Sequence, residues 1–145
     1  MAPNLNDRRQ YTSKIVQELL DERQQLWSLY SALAARQPFT GNEPLAPKIR
    51  EFCQLLIDYI SLGHFGIYQR INDGTERRRV VLDAAAEVYS RIAETTDAAL
   101  AFNDRYEKLA PEALRERLAE DLSCLGEALA TRTELEDRLV DGMLS

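Results

Sequence analysis

At 145 residues, 45% hydrophobic and 29% charged, the chain is long enough to bury one core as a single domain without disulfides or metal. Its 24 acids against 18 bases leave a net charge of −6, and residues 104–145 alone hold eleven acids against six bases. Such a field disfavours nucleic acid and favours basic protein surfaces. With no apolar leader and no run of eighteen apolar residues, the sequence predicts a soluble, cytoplasmic protein without membrane contact.

Met1–Tyr11 is polar and aperiodic, which predicts a flexible arm on a domain spanning 1–145, with Thr12 or Ser13 as the cap of a first helix. Ile15, Leu19, Leu20, Leu26, Trp27, Tyr30 and Leu33 then recur at helical spacing. They predict an amphipathic helix to about Ala35, with Leu19, Leu26, Tyr30 and Leu33 in the core. Pro38, Gly41, Asn42 and Pro44 break it, and Pro47 suits the first turn of a second helix running to about Ile71.

That second helix carries two apolar stripes. At about 100° per residue, Ile49, Phe52, Cys53, Leu56, Tyr59, Ile60, Gly63 and Ile67 share one face, enough to close a bundle. Roughly opposite lie Leu55, Asp58, Leu62 and Phe65. A helix packed on one side needs no second row of Leu and Phe with a carboxylate in its middle, so this row reads as a contact surface. The competing reading is a helix buried on both sides, with Asp58 satisfied by an arginine. Gly63 and Gly66, unfavourable in a helix interior, predict a close neighbour or a bend.

Residues 72–75 read as a turn with Thr75 as cap. Val80, Ala84, Val88, Ile92, Thr95 or Thr96, Ala99, Phe102, Tyr106 and Leu109 give a third helix, or two if it bends or splits at Glu94–Asp97. Pro111 restarts the chain, and Leu114, Leu118, Leu122, Leu125, Leu129, Leu139 and Met143 form the last stripe. With no alternating strand pattern, the predicted fold is all-α, an antiparallel bundle of four main helices. Cys53 and Cys124 sit in apolar helical patterns and read as buried thiols.

Catalytic constellations are missing from the pattern. Glu-x-x-His pairs for di-iron, three or four convergent ligands for zinc, phosphate loops and nucleophile elbows are all absent, so no enzyme, cofactor or metal is expected. Asp121, Glu127 and Glu134–Asp137 read as a solvated acidic face. The lone His64 reads as a partly buried, hydrogen-bonded side chain; a histidine-phosphotransfer or ligand-responsive bundle is the alternative.

Phe52-Cys53-Gln54, Asp58-Tyr59-Ile60-Ser61, Gly63-His64-Phe65 and Ile67-Tyr68 occur in order with Leu122-Ser123, Gly126–Leu129, Arg132 and Leu135–Leu139. The sequence thereby resembles the Rsd/AlgQ family of bacterial regulators of the primary sigma factor. The resemblance implies a non-catalytic helical bundle that binds region 4 of that sigma factor, the module that reads the −35 element and docks on core polymerase. The expected assembly is a monomer that forms a 1:1 complex without direct nucleic-acid contact, and a symmetric dimer through the same outward stripe is the competing reading. Together with the outward stripe the resemblance gives Leu55, Asp58, Ser61, Leu62 and Phe65 as partner-binding residues. Leu62 replaces a smaller residue common in the motif, and Gln17-Glu18-Leu19 stands where relatives commonly carry Asp-Arg-Trp.

Overall fold

A computed structural model describes residues 5–39, 44–72, 74, 76–108 and 111–144. Helix α1 is Leu5–Ala34 and α2 is Ala46–Gly63. A π-helical turn, His64–Tyr68, and a short α3, Gln69–Asn72, continue α2 without leaving helical backbone. Helix α4 is Arg79–Lys108, and a 3₁₀ turn at Pro111–Leu114 leads into α5, Arg115–Leu144. The four long helices form the expected all-α bundle.

Side-chain contacts fix the directions. Arg23 reaches Asp137, Trp27 reaches Thr133 and Tyr30 reaches the Leu122 carbonyl, so α1 and α5 run antiparallel. Arg105 reaches Asp121 while Thr96 meets Arg132, which sets α4 against α5 in the same sense. Helix α1 also packs on α2, and α2 on α4, closing the ring α1–α2–α4–α5. The whole inward stripe of the second helix, from Ile49 to Ile67, is buried, as are Leu19, Leu26 and Leu33 of α1. Tyr30 is only part-buried and sends its hydroxyl to the Leu122 carbonyl at 2.7 Å.

Several expectations require correction. Leu5–Tyr11, read as part of the arm, are the first turns of α1; Met1–Asn4 lie outside the described residues. Thr12 caps nothing: it is buried inside the helix, and the Arg70 guanidinium donates to its hydroxyl at 3.4 Å. Helix α4, by contrast, runs unbroken through Glu94–Asp97, the single helix of the first reading without the bend or split held open there. Thr95 and Thr96 there donate to the Ile92 carbonyl at 2.7 and 3.2 Å, a back-bond that keeps both hydroxyls inside the helix. The start of the α4 stripe is shifted by one residue: Val81 and Ala85 are buried, whereas Val80 is 53% exposed. Thr75 and Leu109 fall outside the described residues.

The glycine expectation has a specific cause. A Cβ on Gly66 would stand 2.9 Å from Ile15 Cγ2, so Ile15 of α1 packs on the bare backbone of the π turn and would have to shift for any larger residue there. Cys53 is buried, its thiol pushed up to about 12 by burial and then by Glu107, but Cys124 is exposed; both are free. Among the described residues, no helix is long and apolar enough to cross a membrane.

Candidate functional site

The outward row of α2 opens onto a groove of about 800 Å³ between α1 and α2. Helix α1 lines it with Asp21, Gln24, Gln25, Ser28 and Leu29, and α2 with Glu51, Gln54, Leu55 and Asp58. Among the described residues the lining thus holds three carboxylates and two leucines, with no Lys or Arg. Asp58 is exposed and, among the described residues, accepts only from Gln54 Nε2, at 3.0 Å, which discards the reading in which an arginine satisfies it in the interior.

Electrostatic strain is already present. Glu22, part-buried on α1, has its pKa raised by burial, then by the charges of Asp58 and Glu18, and its Oε2 has no hydrogen-bond partner among the described residues. Like charges converge from both helices, so a cation entering the groove would relieve repulsion as well as gain attraction. Helix α1 is absent from the sequence-based site. Its one signal there is Leu29, an apolar residue lying off the Leu26–Leu33 core line.

The other outward residues separate into two kinds. Leu55 and Leu62 are part-buried and pack against the core. Leu62 is not the freely exposed leucine expected; its Cδ1 is 3.7 Å from the position a Cβ on Gly66 would take, beside Ile15. Phe65 is 64% exposed, the most exposed of the large hydrophobic side chains described. It lies about 10 Å along the helix from Asp58 and meets the neighbouring His64 ring edge-on at 4.8 Å between centroids. Ser61 is part-buried one turn before Phe65. Leu55 and Asp58 therefore line the groove, while Ser61, Leu62 and Phe65 continue the same helix beyond its end. His64, the first residue of the π turn, is exposed rather than partly buried.

Behind this face lies a charged cluster that the periodicity hid. Arg132 and Glu136 are each 1% exposed. Arg132 Nη1 donates to Thr95 and Thr96 at 3.2 and 2.8 Å. Its Nε lies 3.7 Å from Glu136 Oε2, within Coulomb reach but beyond a hydrogen bond, and neither atom has a hydrogen-bond partner among the described residues. The Tyr59 hydroxyl donates to Glu136 Oε1, and Arg23 approaches the same oxygen at 4.0 Å. Burial raises the Glu136 pKa against the lowering effects of Arg132, Tyr59 and Arg23. Glu136 is thus not part of a solvated acidic face. Nor is Asp121, which accepts from Tyr106 and Arg105 at 2.6 and 2.8 Å.

A family model described as Regulator of RNA polymerase sigma(70) subunit, Rsd/AlgQ, matches residues 2–144. A protein named Regulator of sigma D from Yersinia enterocolitica serotype O:8 / biotype 1B is 33% identical over 135 residues, covering 89% of this chain and 80% of the relative. A protein of the same name from Salmonella paratyphi A is 33% identical over 142 residues, covering 94% and 86%. The corresponding Salmonella newport protein is 32% identical over 145 residues, covering 94% and 86%. No solved structure gives a significant match.

Proposed function

Because the chain belongs to the Rsd/AlgQ family of regulators of the RNA polymerase sigma(70) subunit, we propose that it is an anti-sigma regulator that sequesters the primary sigma factor by binding its region 4 along the α1/α2 groove. The observation that supports this reading most is the groove's charge: three carboxylates and two leucines, with no Lys or Arg among the described lining residues. A promoter-reading helix-turn-helix module must be rich in Arg and Lys to meet phosphates. The same cations suit Asp21, Glu51 and Asp58, while Leu29, Leu55 and the exposed Phe65 offer apolar area beside them.

Occupancy of the module by protein excludes both DNA and polymerase, and free sigma falls by mass action. The acidic field sets association rate and salt dependence, whereas the apolar contacts set dissociation. The role is one of binding, with no cofactor and no reaction.

Asp58→Arg tests it. The side chain is exposed and hydrogen-bonded to Gln54, one turn away on the same helix, so the fold should be unchanged. Reversing the charge should weaken binding to a purified region 4 fragment by about tenfold or more. Sedimentation velocity should show a 1:1 complex with the native chain and free components with the variant. A variant that binds as tightly as the native chain removes the groove from the interface.

A further inference from the structure

We infer that Arg132 is the positioning residue of the partner-binding segment, one buried guanidinium holding the π turn in the form that presents Ser61, Leu62 and Phe65. The inference rests on the reading of that segment as part of a protein-binding face. Its structural half concerns only how the segment is held.

The guanidinium meets the segment at both ends and in the middle. It lies over the Tyr59 ring at 5.5 Å and the Tyr68 ring at 6.0 Å, and these residues bracket Ser61, Leu62 and Phe65. Between them, a Cβ on Gly63 would stand 3.3 Å from Arg132 Nη2, so the guanidinium packs on the helix backbone where the π turn begins. On its other side Nη1 is fixed by Thr95 and Thr96, whose hydroxyls are themselves tied to the Ile92 carbonyl.

A π turn is intrinsically rarer than the α turn it replaces and persists where surrounding contacts over-determine it. Relaxation to an ordinary α turn changes the angle at which Phe65 leaves the helix relative to Asp58. A planar, permanently charged fork that stacks on two rings while bonding two hydroxyls suits this task, and a lysine does not. The sequence alone shows none of this, because Arg132 falls among charges of a helix that reads as acidic.

The test is Arg132→Met in the full chain, read by amide hydrogen exchange in the free protein and by affinity for the region 4 fragment. Amides of residues 61–68 should exchange about tenfold faster while those of 51–58 hold their protection, and affinity should fall about tenfold. Exchange that rises evenly along α2, or nowhere, overturns the positioning role, since a merely structural arginine would loosen the bundle as a whole. Exchange that rises only in 61–68 with affinity unchanged leaves the turn held by Arg132 and overturns the partner face instead. Should Arg132→Met fail to fold with Glu136 left uncompensated, Tyr68→Leu removes one of the two stacked rings without stranding a charge, and the same local pattern is expected.

Discussion

Replacing Phe65 with alanine separates binding from folding more cleanly than any other change on the proposed face. The ring is 64% exposed in the free chain, so its removal opens no core cavity. Complete burial of a phenylalanine is worth about 1.5–3 kcal/mol, and the part still available for burial about 1–2 kcal/mol. That corresponds to about a 5- to 30-fold rise in Kd, expressed chiefly as faster dissociation. Stability should change by less than about 0.5 kcal/mol, as for other surface substitutions. Titration calorimetry with the region 4 fragment and urea unfolding of the free variant give both numbers. A Kd within about twofold of native would take Phe65 out of the interface, and a drop in the urea midpoint of the size seen for core truncations would make it part of the core.

Other positions should respond differently. Leu62→Ala, at a side chain part-buried against the core beside the π turn, should cost about 1–2 kcal/mol in urea unfolding as well as weakening the complex; unchanged stability would place Leu62 free of the bundle. Glu22 keeps its proton to higher pH than an ordinary glutamate because of burial, Asp58 and Glu18. A cationic partner should lower that pKa, so the complex binds fewer protons and affinity should fall as pH drops through the range just above the ordinary carboxylate value. Glu22→Gln should flatten this dependence in calorimetric titrations, and an unchanged slope would assign the proton elsewhere. Burial pulls the Asp121 pKa upward, but hydrogen bonds from Tyr106 and Arg105 outweigh it and the net shift is downward. Its stabilisation is therefore present above the unfolded-state pKa and lost as pH falls through the folded value. Asp121→Asn should cost about 1 kcal/mol at neutral pH and converge with the native chain in strong acid; a constant gap down to that limit contradicts the sign.

Periodicity carries most of the fold because burial follows it. The Ile49–Ile67 stripe is buried without exception, and α5 keeps its leucines inward from Leu118 to Met143. Periodicity fails where another interaction decides. Leu5–Tyr11 lack an apolar stripe yet continue α1, where Arg70 lies over the Tyr11 ring at 5.1 Å. Val80 reads as core from sequence because Val80, Ala84 and Val88 share a spacing of four. The buried set Val81, Ala85, Val88, Ile92 and Thr95 alternates four and three, which is the spacing of a helix seam.

Charged residues are the harder case. A sequence read one helix at a time sends Arg132 and Glu136 to solvent, whereas Tyr59, Thr95 and Thr96 from two other helices make their burial tolerable. The groove is half legible for a related reason. Leu55 and Asp58 stand out against the core stripe of their own helix, but Asp21 and Leu29, which face them, belong to α1. Only packing brings those two rows together.

Chemical-shift mapping locates the partner on the bundle residue by residue. With ¹⁵N-labelled chain titrated by unlabelled region 4 of the primary sigma factor, binding in the groove perturbs amides concentrated at Asp21–Leu29 of α1 and Glu51–Phe65 of α2 and the π turn, the lining of the acidic groove and its continuation. Perturbations gathered on the outer faces of α4 and α5, with Asp58 and Phe65 unmoved at saturation, would contradict it.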